Sequence, residues 1–406
     1  MTSATPLVPE FHCGMVQKKI MMRIMFITGK YPPEQCGIGD YTQRLAQKLS
    51  SPETQVFILT SVFQQRQDEI NERQNNDIEI IRVLKQWDFK NYPVIRNEIL
   101  KNKIDVVNIQ FQISFFNSHP MITLLPFLLK SREHTSRVKV VVTLHELAGP
   151  ATRFLPGLLR RLWLLPLMFW ADAIIVINER DLFLLRRVPF LKSRVHYIPL
   201  ASNIDVRPDV DRQAARRKLQ INDDEVLILS FGFVNNIRAS FILELIQAIK
   251  KLCNKGYKLR LILVGGVGLK DGGIVSSYAN SLGIAERVIL TGYCSSQEVS
   301  QYLGSADIAV QLNSDGVFRS TALLATMSHG LPTIGLKKRY IPAVFVNREN
   351  ILLLLNNDPE DIARGIEELI LDGALRERLS RKCIQAVRGF SWETASKLAS
   401  QLYASL

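Results

Sequence analysis

The stretch DGVFRSTALLATMSHGLPTIG, residues 315–335, sets an Asp-Gly turn ahead of an Arg-Ser-Thr triplet that opens a short apolar run ending at Gly330, just before Pro332. The free N–H groups and positive dipole end of a helix start suit an anion, and Arg319 adds a formal charge beside Ser320 and Thr321. Ser and Thr also begin many helices as plain caps, so the triplet alone leaves both uses open. Asp315 is divided in the same way, between holding a hydroxyl and shaping the Asp-Gly turn. A second candidate is GKYPPEQCGIGDYTQRL, residues 29–45, where Gly37 and Gly39 would let backbone approach a phosphate at the start of a helix. A dinucleotide fingerprint would need glycine where Thr42 stands, and an acidic residue where the second apolar run ends in TSVF. LVGGVGLKDGG, residues 263–273, fails likewise, with Asp271 in place of the third glycine after Gly266 and Gly268. The dinucleotide fingerprint fails in both halves, which makes nicotinamide-dependent hydride transfer a distant third reading.

Glycine turns of this kind act only where strands present them. RIMFIT (23–28), TQVFILT (54–60), DVVNIQF (105–111), KVVVTLH (139–145), ADAIIVI (171–177) and VHYIPL (195–200) are continuous apolar runs, the pattern of strands buried on both faces. Helix-period segments lie between them; in YTQRLAQKL, Tyr41, Leu45 and Leu49 share one face. This is a βαβ series and predicts a parallel sheet. The polar stretch at 205–225 interrupts the rhythm and marks a domain boundary. VLILSFGF (226–233), LRLILVGG (259–266), RVILTGY (287–293), ADIAVQL (306–312) and LPTIGL (331–336) then resume it. Two doubly wound α/β halves of similar size follow, with ligands expected beyond the carboxyl ends of the strands.

A chain of 406 residues with 47% hydrophobic and 22% charged residues suits about two soluble globular domains. Five scattered cysteines with no paired spacing favour a reducing, cytoplasmic setting and offer no metal site. Residues 1–20, with Pro6, Pro9, Glu10 and His12, read as a loose extension rather than a signal sequence. LWLLPLMFW, residues 162–170, is too short to span a bilayer and reads as a buried helix; Arg160, Arg161, Trp163 and Trp170 around it leave a peripheral membrane contact open. A net charge of +13 points to anionic partners, which include nucleotides and anionic lipid. No nucleic-acid-binding pattern occurs, so nucleic acid is not expected as a partner.

The ordered set YPPEQCGIGDYTQRLA, VVTLHE, ADAIIVINERD, YIPLASNI, LILVGG, RVILTGY, ADIAVQL, HGLPTIG and FSWETASKLASQLYASL resembles the family-4, or group 1, glycosyltransferases over nearly the whole chain. The resemblance implies a GT-B fold: two facing Rossmann-like domains and a last helix crossing back onto the first. The expected division is 21–204 completed by 390–406, acceptor-side, and 205–389, donor-side. The implied reaction moves a sugar from a nucleotide diphosphate donor to a glycan or lipid-linked acceptor with retention, with no metal and no cofactor beyond the donor. By resemblance, Gly37, Ile38 and Gly39 lie against the diphosphate or acceptor and His145 faces the donor sugar; His145 also reads as an ordinary core histidine, and Glu146 as a loop residue. Arg238 takes the diphosphate position of a family lysine, Phe233 stands where arginine is usual, and Tyr293 and Cys294 fall in the base-binding loop. Val317 and Ala325 occupy the places of the family's two glutamates. Two readings result: a divergent transferase in which Asp315, Arg319, Ser320 and Thr321 take over those contacts, or a GT-B pseudoenzyme that binds a glycan, nucleotide or partner protein without turnover.

Overall fold

The apolar runs form two sheets. A computed structural model describes residues 21–34, 36–62, 70–74, 78–145, 147, 157–207, 210–233, 236–266, 269–312, 320–338 and 341–406. Residues 1–20, Glu146, Asp315, Val317 and Arg319 lie outside the described residues, as do the side chains of Arg160, Arg161 and Trp163.

The first sheet contains β1 (Met22–Ile27), β2 (Thr54–Ser61), β3 (Ile70–Gln74), β4 (Ile78–Leu84), β5 (Val106–Phe111), β6 (Lys139–Leu144), β7 (Ala173–Val176) and β8 (Val195–Tyr197). Its order is β3-β4-β2-β1-β5-β6-β7-β8, and every pairing is parallel except the edge pair β3–β4. The second contains β9 (Val226–Phe231), β10 (Leu259–Val264), β11 (Val288–Leu290), β12 (Ile308–Gln311), β13 (Thr333–Leu336) and β14 (Leu352–Leu354), all parallel, in the order β11-β10-β9-β12-β13-β14. Strand order reverses between β1 and β5 and again between β9 and β12, which are the switch points where doubly wound sheets open a crevice.

Alternation divides each strand between two cores. Ile24 and Phe26 of β1 join one apolar cluster, while Met25 and Ile27 join another on the opposite face. The second sheet behaves the same way, with Leu261 and Leu263 on one face and Ile262 and Val264 on the other. Both faces of both sheets are therefore covered, which is why the strands carry few charges. The last helix, Trp392–Ala404, packs on the first helix, Gly37–Leu49, so the chain ends against the domain in which it began.

Two stretches carry detail that their sequence readings did not. The polar segment after residue 205 contains a helix, Arg212–Lys218, fastened to the second domain: buried Arg216 reaches Asp307 at 3.1 Å and donates to the carbonyls of Asn222 and Glu225. The apolar run at 162–170 belongs to the helix Gly157–Trp170; Leu164, Leu167 and Met168 are buried, but Phe169 and Trp170 are exposed. No helix among the described residues is long and apolar enough to cross a membrane.

Candidate functional site

The loop after β1 turns into the helix Gly37–Leu49, whose N-cap is Cys36, its sulfur accepting from Gly39 N–H at 3.4 Å. Gly39 is there for packing, since a Cβ would stand 3.1 Å from the Lys30 carbonyl and 3.2 Å from Tyr31 Cα. A Cβ on Gly37 would meet nothing within 4 Å and Gly37 lines a cleft, whereas Ile38 and Gly39 are turned into the domain. Asp40 and Arg44, one and two turns on, share that cleft. Burial raises the Asp40 carboxyl above its ordinary value, with the Arg44 charge pulling the other way. Arg44 also pairs with Asp205 at 3.0 Å.

His145 follows β6 and continues its ladder, its N–H donating to the Phe111 carbonyl at 3.1 Å. The ring is half-buried, edge-on to Tyr41 with centroids 5.0 Å apart, and its Nε2 lies 2.8 Å from Gln110 Oε1. Removal from water pushes its pKa down to about 3, so the imidazole is neutral at physiological pH. It stands beside the first helix rather than in the cleft wall.

The opposite wall is made by turns after β9, β10 and β11. Gly232 (φ +131°) and Gly265 (φ +125°) touch backbone to backbone; a Cβ on Gly265 would lie 2.7 Å from the Gly232 carbonyl. Arg238 is folded behind this turn. Its Nη2 donates to the Phe231 carbonyl at 2.6 Å and to Ser230 Oγ at 3.0 Å, and a Cβ on Gly232 would come within 2.1 Å of Nη1. Burial lowers the pKa of Arg238 to about 10, which still leaves it charged at neutral pH. Phe233 and Tyr293, 57% and 67% exposed, rise on the lip of the cleft, both beside Gly266. Phe233 stands where the resemblance implies an arginine, and what it presents to the cleft instead is an exposed ring, which residue type alone does not reveal. Cys294 lines the same wall and its thiol reaches Thr291 Oγ1 at 3.1 Å, which ties the loop to the Gly265 turn through the Gly265 N–H at 3.3 Å.

The helix Thr321–Ser328 closes the wall. Ser320 is its N-cap, with Oγ accepting from Leu323 N–H at 3.0 Å, so its hydroxyl serves the helix; Thr321 and Ala322 face the cleft. Ala325 is fully buried beneath β9 and β12, so this side chain faces core rather than solvent. The enclosed volume is about 610 Å³. Among the described residues, no three His, Cys, Asp or Glu side chains gather into a metal-binding group.

Two facing Rossmann-like domains with a cleft between their switch points, and a last helix returned to the first domain, define the GT-B class. The chain belongs to the group 1, family 4 glycosyltransferases: residues 36–205 match the family described as Glycosyltransferase Family 4, and residues 211–386 match Glycosyl transferases group 1. It is similar to the D-inositol 3-phosphate glycosyltransferase of Thermobifida fusca, 26% identical over 45% of this chain and 43% of that one. The protein of that name from Mycobacteroides abscessus is 27% identical over 57% and 48%. The chain thus spans about half the length of the curated relatives it matches. Among solved structures, sucrose-phosphate synthase from Thermosynechococcus elongatus superposes with a TM-score of 0.72 at 18% identity, covering 95% of this chain and 98% of the other. HepE of Anabaena in complex with UDP and glucose gives 0.73 at 13% identity, covering 95% and 100%. These likenesses establish the shared fold.

Proposed function

We propose that this chain is a retaining glycosyltransferase that takes a nucleotide diphosphate sugar in the cleft and passes the sugar to a glycan or lipid-linked acceptor. One observation carries the reading: two helix starts, at Gly37 and at Thr321–Ala322, open onto the same 610 Å³ cavity from opposite domains. Two positive dipole ends in one cavity favour a multiply charged anion such as a diphosphate. The charge of Arg238 behind Gly232 adds to the same field, and in the sequence Arg319 directly precedes the second helix start. Phe233 and Tyr293 supply ring faces for the base. The crystallised HepE complexes with UDP and UDP-glucose support a nucleotide-sugar as the partner. The protein's part in such a reaction is to position the donor and stabilise the leaving diphosphate, which itself takes the acceptor proton.

Calorimetry with nucleoside diphosphates and nucleotide-sugars tests the assignment. One diphosphate binds, Arg238→Ala or Arg319→Ala weakens it by about ten- to a hundredfold, and a chelator leaves the affinity unchanged. Binding without sugar transfer to any glycan or lipid acceptor would instead define a GT-B pseudoenzyme. If no nucleotide binds, Ser320 is only a helix cap and the phosphate site does not exist.

A further inference from the structure

Beneath the last helix, the first sheet carries polar side chains where packing alone would be served by apolar ones. Asn108 and Gln110 alternate with Val107 and Ile109 along β5 and so share one face; Thr143 and His145, in the adjacent parallel register, share it too. Asn108, Gln110 and Thr143 are completely buried, an arrangement that costs stability unless every polar atom finds a partner. The partners form one chain. Tyr403 of the last helix accepts from Asn108 Nδ2 at 2.5 Å. Asn108 Oδ1 accepts from Gln110 Nε2 and from Thr143 Oγ1, each at 2.9 Å. Gln110 Oε1 then faces His145 Nε2 at 2.8 Å.

The placement of the Asn108 and Gln110 amides gives this chain a direction. With its amide nitrogen committed to Asn108, Gln110 can only accept from His145, and an imidazole that donates from Nε2 while neutral must have a bare Nδ1. Among the described residues Nδ1 makes no hydrogen bond. We propose that Gln110 is a positioning residue which, oriented by Asn108 and Tyr403, holds His145 as the neutral Nε2–H tautomer, so that the ring offers Nδ1 as a hydrogen-bond acceptor. The inference rests on the reading of the cleft as a nucleotide-sugar site and on the donor sugar reaching His145 from that cleft: a neutral acceptor beside Tyr41 matches a sugar hydroxyl and not a phosphate oxygen. It also makes the last helix part of the site, because Tyr403 sets the polarity of the chain. Reversed throughout, with Tyr403 donating to Asn108 and the Gln110 amide donating to Nε2, the same groups would leave the proton on Nδ1.

Long-range proton–nitrogen correlation on the histidine-labelled full chain separates the two polarities without needing turnover, with His145→Gln assigning the signal. The expected pattern is a protonated Nε2 and a bare Nδ1 at neutral pH. The opposite tautomer, or an imidazolium, overturns the inference. Tyr403→Phe keeps the ring and removes the polarity signal, so it should mix the tautomers and raise the KM for donor by roughly five- to tenfold, about the effect of one hydrogen bond, with kcat nearly unchanged. Gln110→Glu keeps the acceptor on Nε2–H and should preserve that proton, whereas Gln110→Met should not. Unaltered tautomers in Tyr403→Phe sink the relay even if sugar transfer is found. An Nε2–H tautomer in a chain that transfers no sugar leaves the relay standing and removes only the transferase reading.

Discussion

Three histidines lose affinity for protons on folding, and the sign of that loss can be followed through. Removal from water depresses His145 to about 3; it also lowers His329, against a smaller opposing pull from the Ala325 carbonyl, and His196, where the Arg186 charge helps. Their unfolded value is about 6.5. Below that pH the unfolded chain takes up protons that the folded chain refuses, so stability falls as pH falls; above it both states are neutral and the contribution is complete. Each histidine can add a slope of at most about 1.4 kcal/mol per pH unit, and the exposed part of His196 reduces its share. Denaturant melts at pH 7.5 and 5.5 should show the chain less stable at 5.5, with a smaller difference in His145→Gln. Equal stability at the two values would mean that these rings are solvated. None of this was readable from the sequence, because an isolated His looks the same at a strand end whether its ring faces water or Tyr41. Asn108 and Gln110 do leave a sign in DVVNIQF, two amides two residues apart in an otherwise apolar run, but the spacing alone names no partner for them.

At the level of elements the sequence spoke more clearly, since a doubly covered parallel strand has to be an unbroken apolar run. The strands without that signature are those that break the pattern. β4 carries Glu79 and Arg82, yet Arg82 is 1% exposed, its guanidinium packed over Tyr31 at 5.8 Å and bonded to the Pro32 carbonyl. β14 is only three residues long. The terminal helix was readable from its spacing: Trp392, Ala395, Ala399 and Leu402 are buried, with Leu398 at the margin, and the structure adds Tyr403, whose hydroxyl no apolar periodicity reveals. Trp392 joins the last helix to both the first helix and the segment before the domain junction, its ring 5.2 Å from Tyr41 and its Nε1 donating to the Ser202 carbonyl at 2.7 Å. Trp392→Ala should cost about 3 to 5 kcal/mol, and Trp392→Phe about 1 to 2 of that, measured by equilibrium denaturation. A Trp392→Ala chain that melts like the parent would show that the helix does not hold the domain.

At the scale of the whole molecule, the +13 balance and one aromatic patch belong to the same argument. Phe127, Trp170, Phe169 and Phe190 are all exposed yet touch one after another in that order, with ring centroids 5.0, 5.4 and 5.7 Å apart, on the first domain. Arg194 fixes their spacing by donating to the Phe169 and Phe190 carbonyls, and exposed Arg186, Arg187 and Lys192 lie close to the patch in sequence. Aromatic rings beside basic side chains suit the headgroup region of a bilayer, where each nearby Lys or Arg gains about 1 kcal/mol from anionic lipid. A lipid-linked acceptor would then meet the first domain at the membrane. Flotation should recover the chain with vesicles containing anionic lipid at low salt, much less of it at high salt, and little with neutral vesicles. Phe169→Ser with Trp170→Ser should release it while leaving nucleotide binding in place, since neither ring lines the cleft. If the chain fails to float at low salt, or the double variant floats as the parent does, the patch is not a membrane contact and the acceptor reaches the cleft from solution.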